Sequence, residues 1–582
     1  MTSVTTQTLT PVRLVHKERD LLAEAKLAQE LNVPELIAAL LVQRGYRDAS
    51  EAYAFLNPTL DSLGDPKLLP DFAAARDAIL GAKERGEKIY IHGDYDVDGV
   101  TSTAIFKRFL EKIGCNVHAH VPHRMKEGYG INMIAVEEAK TWGANLFLTC
   151  DCGSGALPQI EAAREAGMTV VVTDHHTMGA ELPNAHALVN PHRPDSEYPF
   201  AELCGAGVVF RLCEGLAAEL KLPIDKYRRA YLDLAVMGTV ADVMPLVGEN
   251  RTITHFGLPQ LTETKKEGLR ALIEVSEVLN RSRVKKLTAG HIGFQLAPRL
   301  NAAGRIDDAK RSLDLLLTTD AVQARTVATE IEAINRDRRA QQELMMAEAV
   351  ERVEEMDWRS KYVIVLGQEG WHSGIVGLIA GRVSEQFSRP SFVMTYNAEA
   401  GTARGSARSY AGFHLADCIR AHESLMTGGG HAAAAGFSAA LADVDAIDAA
   451  LNAYASERLS LDDLVPSKVV DMAIEGQELT VRAVQCLESL EPFGLGNQTP
   501  LFSVEGATVT RVTTMTEGLH LKLGLRTADG SVFDAVAWGQ GERAEEFPAG
   551  QTVDAVFKPE VNEFRGNVAV QMKLEHISPS AG

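Results

Sequence analysis

From Lys88 to His176 short apolar runs alternate with amphipathic stretches. KIYIHGD, NVHAHVP, ANLFLTCD and MTVVVTDHH have the length of buried strands, while STAIFKRFLEKIG and LPQIEAAREAG repeat their apolar positions with a helical period. This alternation predicts a parallel sheet with helical crossovers. Three of the runs end in Asp or His. In such sheets ligands gather beyond the carboxyl ends of the strands, so the pattern already points to a site.

The pattern changes on either side of this region. The first forty or so residues are helical in pattern and carry no chemistry. Ser312 to Trp358 contains neither Gly nor Pro and is rich in Ala, Glu, Arg and Leu, which predicts a long connecting helix. KYVIVLGQEGWHSGIVGLIAGRV and RPSFVMTY then open a second α/β domain. The last stretch, from LFSVEGATVTRVTTMTEG through VAVQMKLEHI, alternates polar and apolar residues in several strands separated by turns, as in a small oligonucleotide/oligosaccharide-binding (OB) barrel. The expected division is a helical segment at 1–45, an α/β domain at 46–305, a connector at 306–358, a second α/β domain at 359–460 and the barrel at 461–582.

Composition narrows the function. The 582 residues exceed one hydrophobic core, and 46% hydrophobic with 23% charged residues is ordinary for a globular protein. No segment has the length and apolarity of a membrane span, the N-terminal residues lack the order of a secretory signal, and seven cysteines form no disulfide-like pattern, so a reducing cytoplasm is expected. A net charge of −20 excludes a protein that coats nucleic acid by bulk electrostatics, though not one with a local basic groove.

The chemistry concentrates at strand ends. In IHGDYDVDGVTSTAI a strand delivers His92, Asp94, Asp96 and Asp98 into a turn closed by Gly99. Carboxylates this close repel one another unless a divalent cation favours their ionised forms. Aspartates that merely cap the next helix are the plainer alternative. LTCDCGS adds Asp151, and VVVTDHHT adds Asp174, His175 and His176. Asp242 lies in the apolar LAVMGTVADVMPL, where an unpaired carboxylate is costly and an Arg partner would be the alternative to a metal. Mixed oxygen and imidazole donors suit Mn²⁺ better than Ca²⁺, with Mg²⁺ and Zn²⁺ as further options.

HGDYDVDG, CDCGS, TDHHT and GTVADVMPL, in this order, resemble the DHH phosphoesterase superfamily and its branch of single-strand-specific exonucleases. PRLNAAGRI, WHSGIVG, ARGSARS and TGGGHAAAAG extend the resemblance over nearly all of the chain after about residue 45. It implies two divalent cations, Mn²⁺ as first choice and Mg²⁺ as the alternative. By the same resemblance His92, Asp96 and Asp151 hold one ion and Asp98, Asp151, His175 and Asp242 the other. Asp151 then bridges, His176 meets the scissile phosphate, and Asp94 and Asp174 orient the ligands.

The resemblance also implies that the second α/β domain binds substrate. Its Gly429, Gly430 and His431 form a glycine-rich stretch that can approach a phosphate, and Arg404, Ser406 and Arg408 offer donors. With His372, and with Arg124 from the first domain, these residues are expected to hold a 5′ phosphate or the nearby backbone. Arg299 and Arg305 suit either substrate contacts or ion pairs that fix the connector. Trp371 and Phe437 are candidates for base stacking. The implied activity is 5′-to-3′ hydrolysis of single-stranded DNA to 5′-mononucleotides in repair and recombination, with a helicase or single-strand-binding protein as partner. A small-molecule phosphodiesterase or pyrophosphatase of the same superfamily, and a non-catalytic replication scaffold, are the rival readings.

Overall fold

The apolar runs that predict strands form them in the computed structural model, which describes residues 12–124, 126–128, 130–279, 285–564 and 566–580. β1 (Lys88–Gly93), β2 (Asn116–His120), β3 (Leu146–Cys150), β4 (Thr169–Thr173) and β5 (Ala187–Val189) make a parallel sheet in the order β2-β1-β3-β4-β5. The crossovers are α1 (Val97–Lys112), α2 (Met133–Trp142) and α3 (Leu157–Glu165). From β1 the chain steps outward to β2 and then returns to the other side of β1 as β3. The order therefore reverses between β1 and β3, and the loops leaving those two strands diverge around a crevice at their carboxyl ends. Two further helices, α4 (Gly205–Glu219) and α5 (Ile224–Ala241), pack on α1.

The predicted connector is two helices rather than one. Lys310–Leu317 ends at Thr318, and α6 (Ala321–Glu355) starts afresh. The break has a local cause: the Asp320 carboxylate accepts the backbone N–H groups of Val322 and Gln323 at 2.8 Å, capping a new helix. Arg108 meanwhile donates to the Leu316 carbonyl at the end of the shorter helix.

The chain divides into two compact units. One takes in Ala302–Asp308 and Thr329–Lys468, the other Leu14–Asn301, Ala309–Ala328 and the chain from Val469 on. The first holds β6 (Ile364–Glu369), α7 (Val376–Phe387), β7 (Ser391–Asn397), β8 (Thr402–Arg408), β9 (Met426–Gly430) and β10 (Ala434–Ala440). Its sheet runs β9-β10-β8-β7-β6, with only β6 and β7 parallel.

The second unit holds the α/β sheet of β1–β5 and also the barrel. β11 (Phe502–Met515), β12 (His520–Arg526), β13 (Val532–Ala537), β14 (Thr552–Phe564) and β15 (Asn567–Pro579) pair in the order β11-β12-β13-β15-β14. β14 pairs back onto β11 and closes the five-stranded OB-type barrel. Residues 1–11 of the expected N-terminal segment lie outside the described residues. The rest contributes a strand at Arg13–His16, then helices at Leu21–Leu31 and Glu35–Gln43, whose Leu27, Ile37 and Leu40 share one apolar core with Phe502 and Phe557 of the barrel.

That shared core predicts a specific stability effect. Leu40→Ala should cost about 2–5 kcal/mol. The loss should appear as a lower thermal midpoint, with faster amide exchange in β11 and β14. Unchanged exchange in those strands would contradict a common core.

Candidate metal centre

β1 ends in His92 and Gly93, and the chain turns through Asp94, Tyr95 and Asp96 into α1. Asp96 caps that helix, accepting the Gly99 N–H at 3.0 Å. Asp98, in the first turn, accepts the N–H groups of Gly205 at 2.6 Å and Ala206 at 2.8 Å. These are the first two residues of α4, whose N-terminal dipole favours an anion there. The approach requires two small residues. A Cβ on Gly205 would fall 2.6 Å from the Cβ of Asp151, and one on Gly238 would fall 2.5 Å from Asp98 Oδ1.

Asp151 follows β3 in the left-handed region, with φ of 61°, unusual for a residue with a side chain. Its N–H donates to the Thr173 carbonyl at 3.0 Å, tying this turn to the end of β4. β4 then delivers Asp174, His175 and His176. His175 Nε2 stands 3.0 Å from Asp151 Oδ1, 3.6 Å from Asp242 Oδ2 and 3.8 Å from Asp98 Oδ2. Nε2 nonetheless makes no hydrogen bond, and the buried Oδ1 atoms of Asp151 and Asp94 make none either. Asp242 arrives as the C-cap of α5.

Such a concentration of negative charge shifts its members. Burial, followed by the charge of Asp96, pushes Asp94 up to about 8. Burial, followed by Asp98 and Asp96, raises Asp242 to about 8. Asp96 and Asp151 rise for the same reasons, Asp151 strongly. Burial also lowers His175. These are the shifts expected where a cation is the natural partner of the ionised forms. Among the described residues three sets have donor atoms within 4.8 Å of one another: Asp151, His175 and His176; Asp98, His175 and Asp242; Asp94, Asp96 and Asp151. Buried donors without partners, from carboxylates and imidazole, fit a divalent cation.

Asp174 and His176 form a second device. Asp174 accepts from the N–H groups of Ser154, His175 and His176, and from His176 Nδ1 at 2.7 Å. Burial opposes its charge, but the hydrogen bond and charge of His176 bring it down to about 2. Burial likewise opposes the charge of His176, and Asp174 overcomes it, raising the imidazole to about 9. His92 is fully buried and lowered to about 4 by that burial. Its Nε2 faces the Gly130 carbonyl at 3.2 Å and its Nδ1 has no partner, but it belongs to none of the three sets. Asp94, expected only to orient ligands, stands within one of them.

The remaining expected residues divide. Arg124 lies over the Tyr95 ring, 5.2 Å from its centroid, beside the carboxylate turn. Arg299 is buried and donates to Gln295 O at 2.6 Å. Its near neighbour Asn301, which sequence reading passed over, accepts the Val97 N–H at 3.2 Å and so braces the metal loop. In the other unit Arg305 reaches the Gly374 carbonyl, and His372 Nδ1 accepts the Gly374 N–H. Arg404, Ser406 and Arg408 share the face of β8 opposite the buried Ala403 and Ala407. A Cβ on Gly377, in the first turn of α7, would lie 3.2 Å from Ser406 Oγ and 3.4 Å from Arg408 Nη2. Across the sheet Ser406 pairs with Gly436 and Gly436 with Gly429, so beside Ser406 lie two exposed positions without side chains, with Gly430 and His431 at the hairpin.

The two stacking candidates are corrected. Trp371 is buried in a core and donates to Glu348 Oε2 at 2.7 Å, and Phe437 is buried against Phe392. Phe294, 87% accessible, is an exposed aromatic on a π-helical segment at Ile292–Leu296 that packs on α5, the helix that ends at Asp242. A Cβ on its neighbour Gly293 would be 4.0 Å from Val240 Cγ1, two residues before Asp242. Gly205, Gly238 and Asn301 were also missed. Small residues in LCGAG and VMGTV were the available signal.

Comparison with known proteins finds relatives for each part of the chain. The DHH family, N-terminal domain, matches residues 88–239, the DHHA1 domain 360–457 and the RecJ OB domain 470–576. The chain is 36% identical over 556 residues to the single-stranded-DNA-specific exonuclease RecJ of Bacillus subtilis, covering 95% of this chain and 69% of that one. It is similar to the crystal structure of RecJ in complex with Mn²⁺ from Thermus thermophilus, with a TM-score of 0.84 and 31% identity, covering 98% of this chain and 80% of that one. The Mg²⁺ complex from the same organism gives 0.77 and 30%, covering 98% and 79%.

The raised carboxyls predict how stability depends on pH and metal. In the metal-free protein Asp94 and Asp242 titrate at about 8 when folded, against 3.8 ordinarily. The folded state therefore binds more protons than the unfolded one between these values, and stability falls as pH rises through that window. A divalent cation displaces those protons. Adding Mn²⁺ to EDTA-treated protein should thus raise the thermal midpoint more at pH 8 than at pH 5. An equal rise at both pH values would count against the carboxylates as ligands.

Proposed function

The chain belongs to the RecJ family of single-stranded-DNA-specific exonucleases, and on that premise we propose that it digests single strands from the 5′ end and releases 5′-mononucleotides in DNA repair and recombination. The observation that carries the reading is the convergence of Asp98, Asp151 and Asp242 on His175 Nε2, with Asp94 and Asp96 beside Asp151.

In this reading His92, Asp96 and Asp151 hold one cation and Asp98, Asp151, His175 and Asp242 the other, with Asp151 between them. The cations, Mn²⁺ first and Mg²⁺ as the alternative, supply Lewis acidity to the phosphate and acidify water at the site. Inclusion of His92 is supported by its tautomer. If Nε2–H donates to Gly130, the Nδ1 lone pair is left for a ligand. Asp94 is in reach of the first set and either completes it or fixes its neighbours.

His176 acts on the substrate. Raised to about 9, it carries positive charge at neutral pH, and Asp174 fixes its ring. It is suited to meet a non-bridging phosphate oxygen and stabilise the charge that develops during attack. Asp174 keeps the imidazole charged and oriented without itself reaching the phosphate. Arg124, stacked on Tyr95, adds a cation beside the carboxylate turn.

The second α/β domain is read as the holder of the strand's end. Arg404, Ser406 and Arg408 supply donors, and bare positions at Gly429 and Gly436 let a phosphate approach the backbone, with Gly430 and His431 at the hairpin and His372 five residues before Gly377, which faces Ser406 and Arg408. A cluster built for a terminal phosphate favours a 5′ start. Arg299 and Arg305, turned to carbonyls of their own surroundings, serve better as braces than as substrate contacts. Phe294 is the proposed stacking surface for a base near the metals.

The barrel binds single-stranded DNA as the family implies. A helicase that opens duplex, or a single-strand-binding protein, is the partner such an enzyme calls for. Seven free cysteines suit the reducing cytoplasm. The small-molecule reading is disfavoured because the match to the Bacillus exonuclease spans 95% of this chain.

Single strands labelled at either end, with and without a 5′ phosphate, test the polarity. A 5′-labelled mononucleotide should appear first, and release of the 3′ label first would refute it. Arg408→Ala should raise KM on 5′-phosphorylated strands more than on 5′-hydroxyl ones. Asp151→Ala should lower Mn²⁺-supported activity well beyond the roughly 10–100-fold that loss of a ligand-orienting residue costs. Phe294→Ala should raise KM for single strands by roughly 5–150-fold, the equivalent of about 1–3 kcal/mol of lost stacking, with kcat little changed. A fall in kcat alone would make Phe294 structural.

A further inference from the structure

A cavity of about 860 Å³ opens between the C-terminal half of α1, the N-terminal half of α5, the Gln260–Lys266 segment and Leu317–Thr319. Both helices have their other ends at the carboxylate cluster. The lining residues of α1, Lys107 to Lys112, are nine to fourteen residues from Asp98, so the cavity lies roughly 14–21 Å from that cluster at 1.5 Å per residue. It is therefore distinct from the metal centre.

Its floor is charge-balanced. Lys266 donates to both oxygens of Asp233, at 2.7 and 2.9 Å, and Lys107 pairs with Glu111 at 2.6 Å. Arg108 is committed to the carbonyls that end the helix at Leu317. Glu111 and Asp233 are the only acids among the described residues that line the cavity, and both are used. The rim is different. Lys112, Lys226, Arg229 and Lys265 also line it, all exposed, and none of these four side chains makes a hydrogen bond or ion pair among the described residues. Four unmatched cations around one concavity stand out in a chain whose net charge is −20.

We propose that this cavity is a second anion site that takes a compact oligophosphate, either free or as the phosphate chain of a nucleotide. Four cations around one mouth match several charges close together. A nucleic-acid backbone instead spreads single charges along a track. The volume is that of a small-molecule pocket. Among the described residues the one aromatic ring in the lining, Tyr231, is buried against Phe109 and Tyr227 and offers no face to a base. Recognition therefore falls on charge, and a nucleoside triphosphate should bind about as well as inorganic tripolyphosphate. Rim cations in water are screened over roughly 10 Å at 0.1 M salt, so binding should weaken as salt rises.

Calorimetric titration of the full chain with tripolyphosphate, with ATP and with a single-stranded oligonucleotide, all without divalent metal, tests this. Tripolyphosphate and ATP should bind comparably. Lys226→Glu combined with Arg229→Glu should weaken both at least tenfold, and Lys265→Glu alone should weaken them in the same direction. Arg408→Ala should leave both unchanged, which separates this cavity from the proposed strand-end site. Because the reversed residues are exposed and unpaired, thermal midpoint and nuclease activity should stay as in the wild type. No tripolyphosphate binding by the wild type, or binding that survives charge reversal, overturns the proposal. So does ATP binding without tripolyphosphate binding, or loss of oligonucleotide affinity in step with the oligophosphates, which would make the cavity part of the DNA track.

Discussion

The structure around the carboxylates depends on one electrostatic constraint: several acidic groups must be brought within a few ångströms of one another and of His175 Nε2 before any cation is considered. The protein meets part of that cost with its own backbone. Asp98 rests on the first two N–H groups of α4, and Asp96 on its own helix start. Those contacts leave the other carboxylate oxygens facing inward. Asp151 Oδ1 and Asp94 Oδ1, buried and without partners, are the part left for an ion to meet. A buried acid with no partner would ordinarily be an expensive defect. Several such atoms in one place, with an unbonded imidazole nitrogen, are a design for binding.

The fold supplies the place. Strand order reverses between β1 and β3, so the loops carrying Asp94, Asp96 and Asp151 part around a crevice instead of packing together. α4 and α5 must then approach closely enough for their ends to reach it. Gly205 and Gly238 permit that approach, and the left-handed backbone at Asp151 turns its carboxylate toward the same point. Strain and missing side chains thus occur where several elements meet at the chemistry, as is general for functional sites.

Much of this was legible in the amino-acid sequence, for physical reasons that also mark the limits. Apolar runs ending in Asp or His revealed β1, β3 and β4 together with their acidic and histidine ends, since a buried parallel strand has to be apolar along its length. The closing barrel was legible from polar and apolar alternation. Partners joined only by folding were not. That Asp98 lies on α4, that Asn301 braces Val97, and that the N-terminal helices share the barrel's core are all contacts between segments far apart in the chain. The break at Thr318 was hidden because residues with good helix propensity surround it and only the Asp320 cap marks it. Trp371 and Phe437 misled for the opposite reason: an aromatic residue next to a motif looks available until packing shows that it is core.

Charge ties these observations together. A chain of net charge −20 that handles a polyanion must keep its positive groups few and placed. His176 shows how one is made: a buried Asp174, stabilised as the anion by three backbone N–H groups, holds an imidazole charged at a pH where it would ordinarily be neutral. The cation is thereby confined to one ring in one orientation beside the acids. Elsewhere most guanidinium and ammonium groups are absorbed, as Arg108 is by a helix end and Lys266 by Asp233. Where positive groups stand unmatched around a concavity, bulk composition does not account for them, and an anionic ligand does.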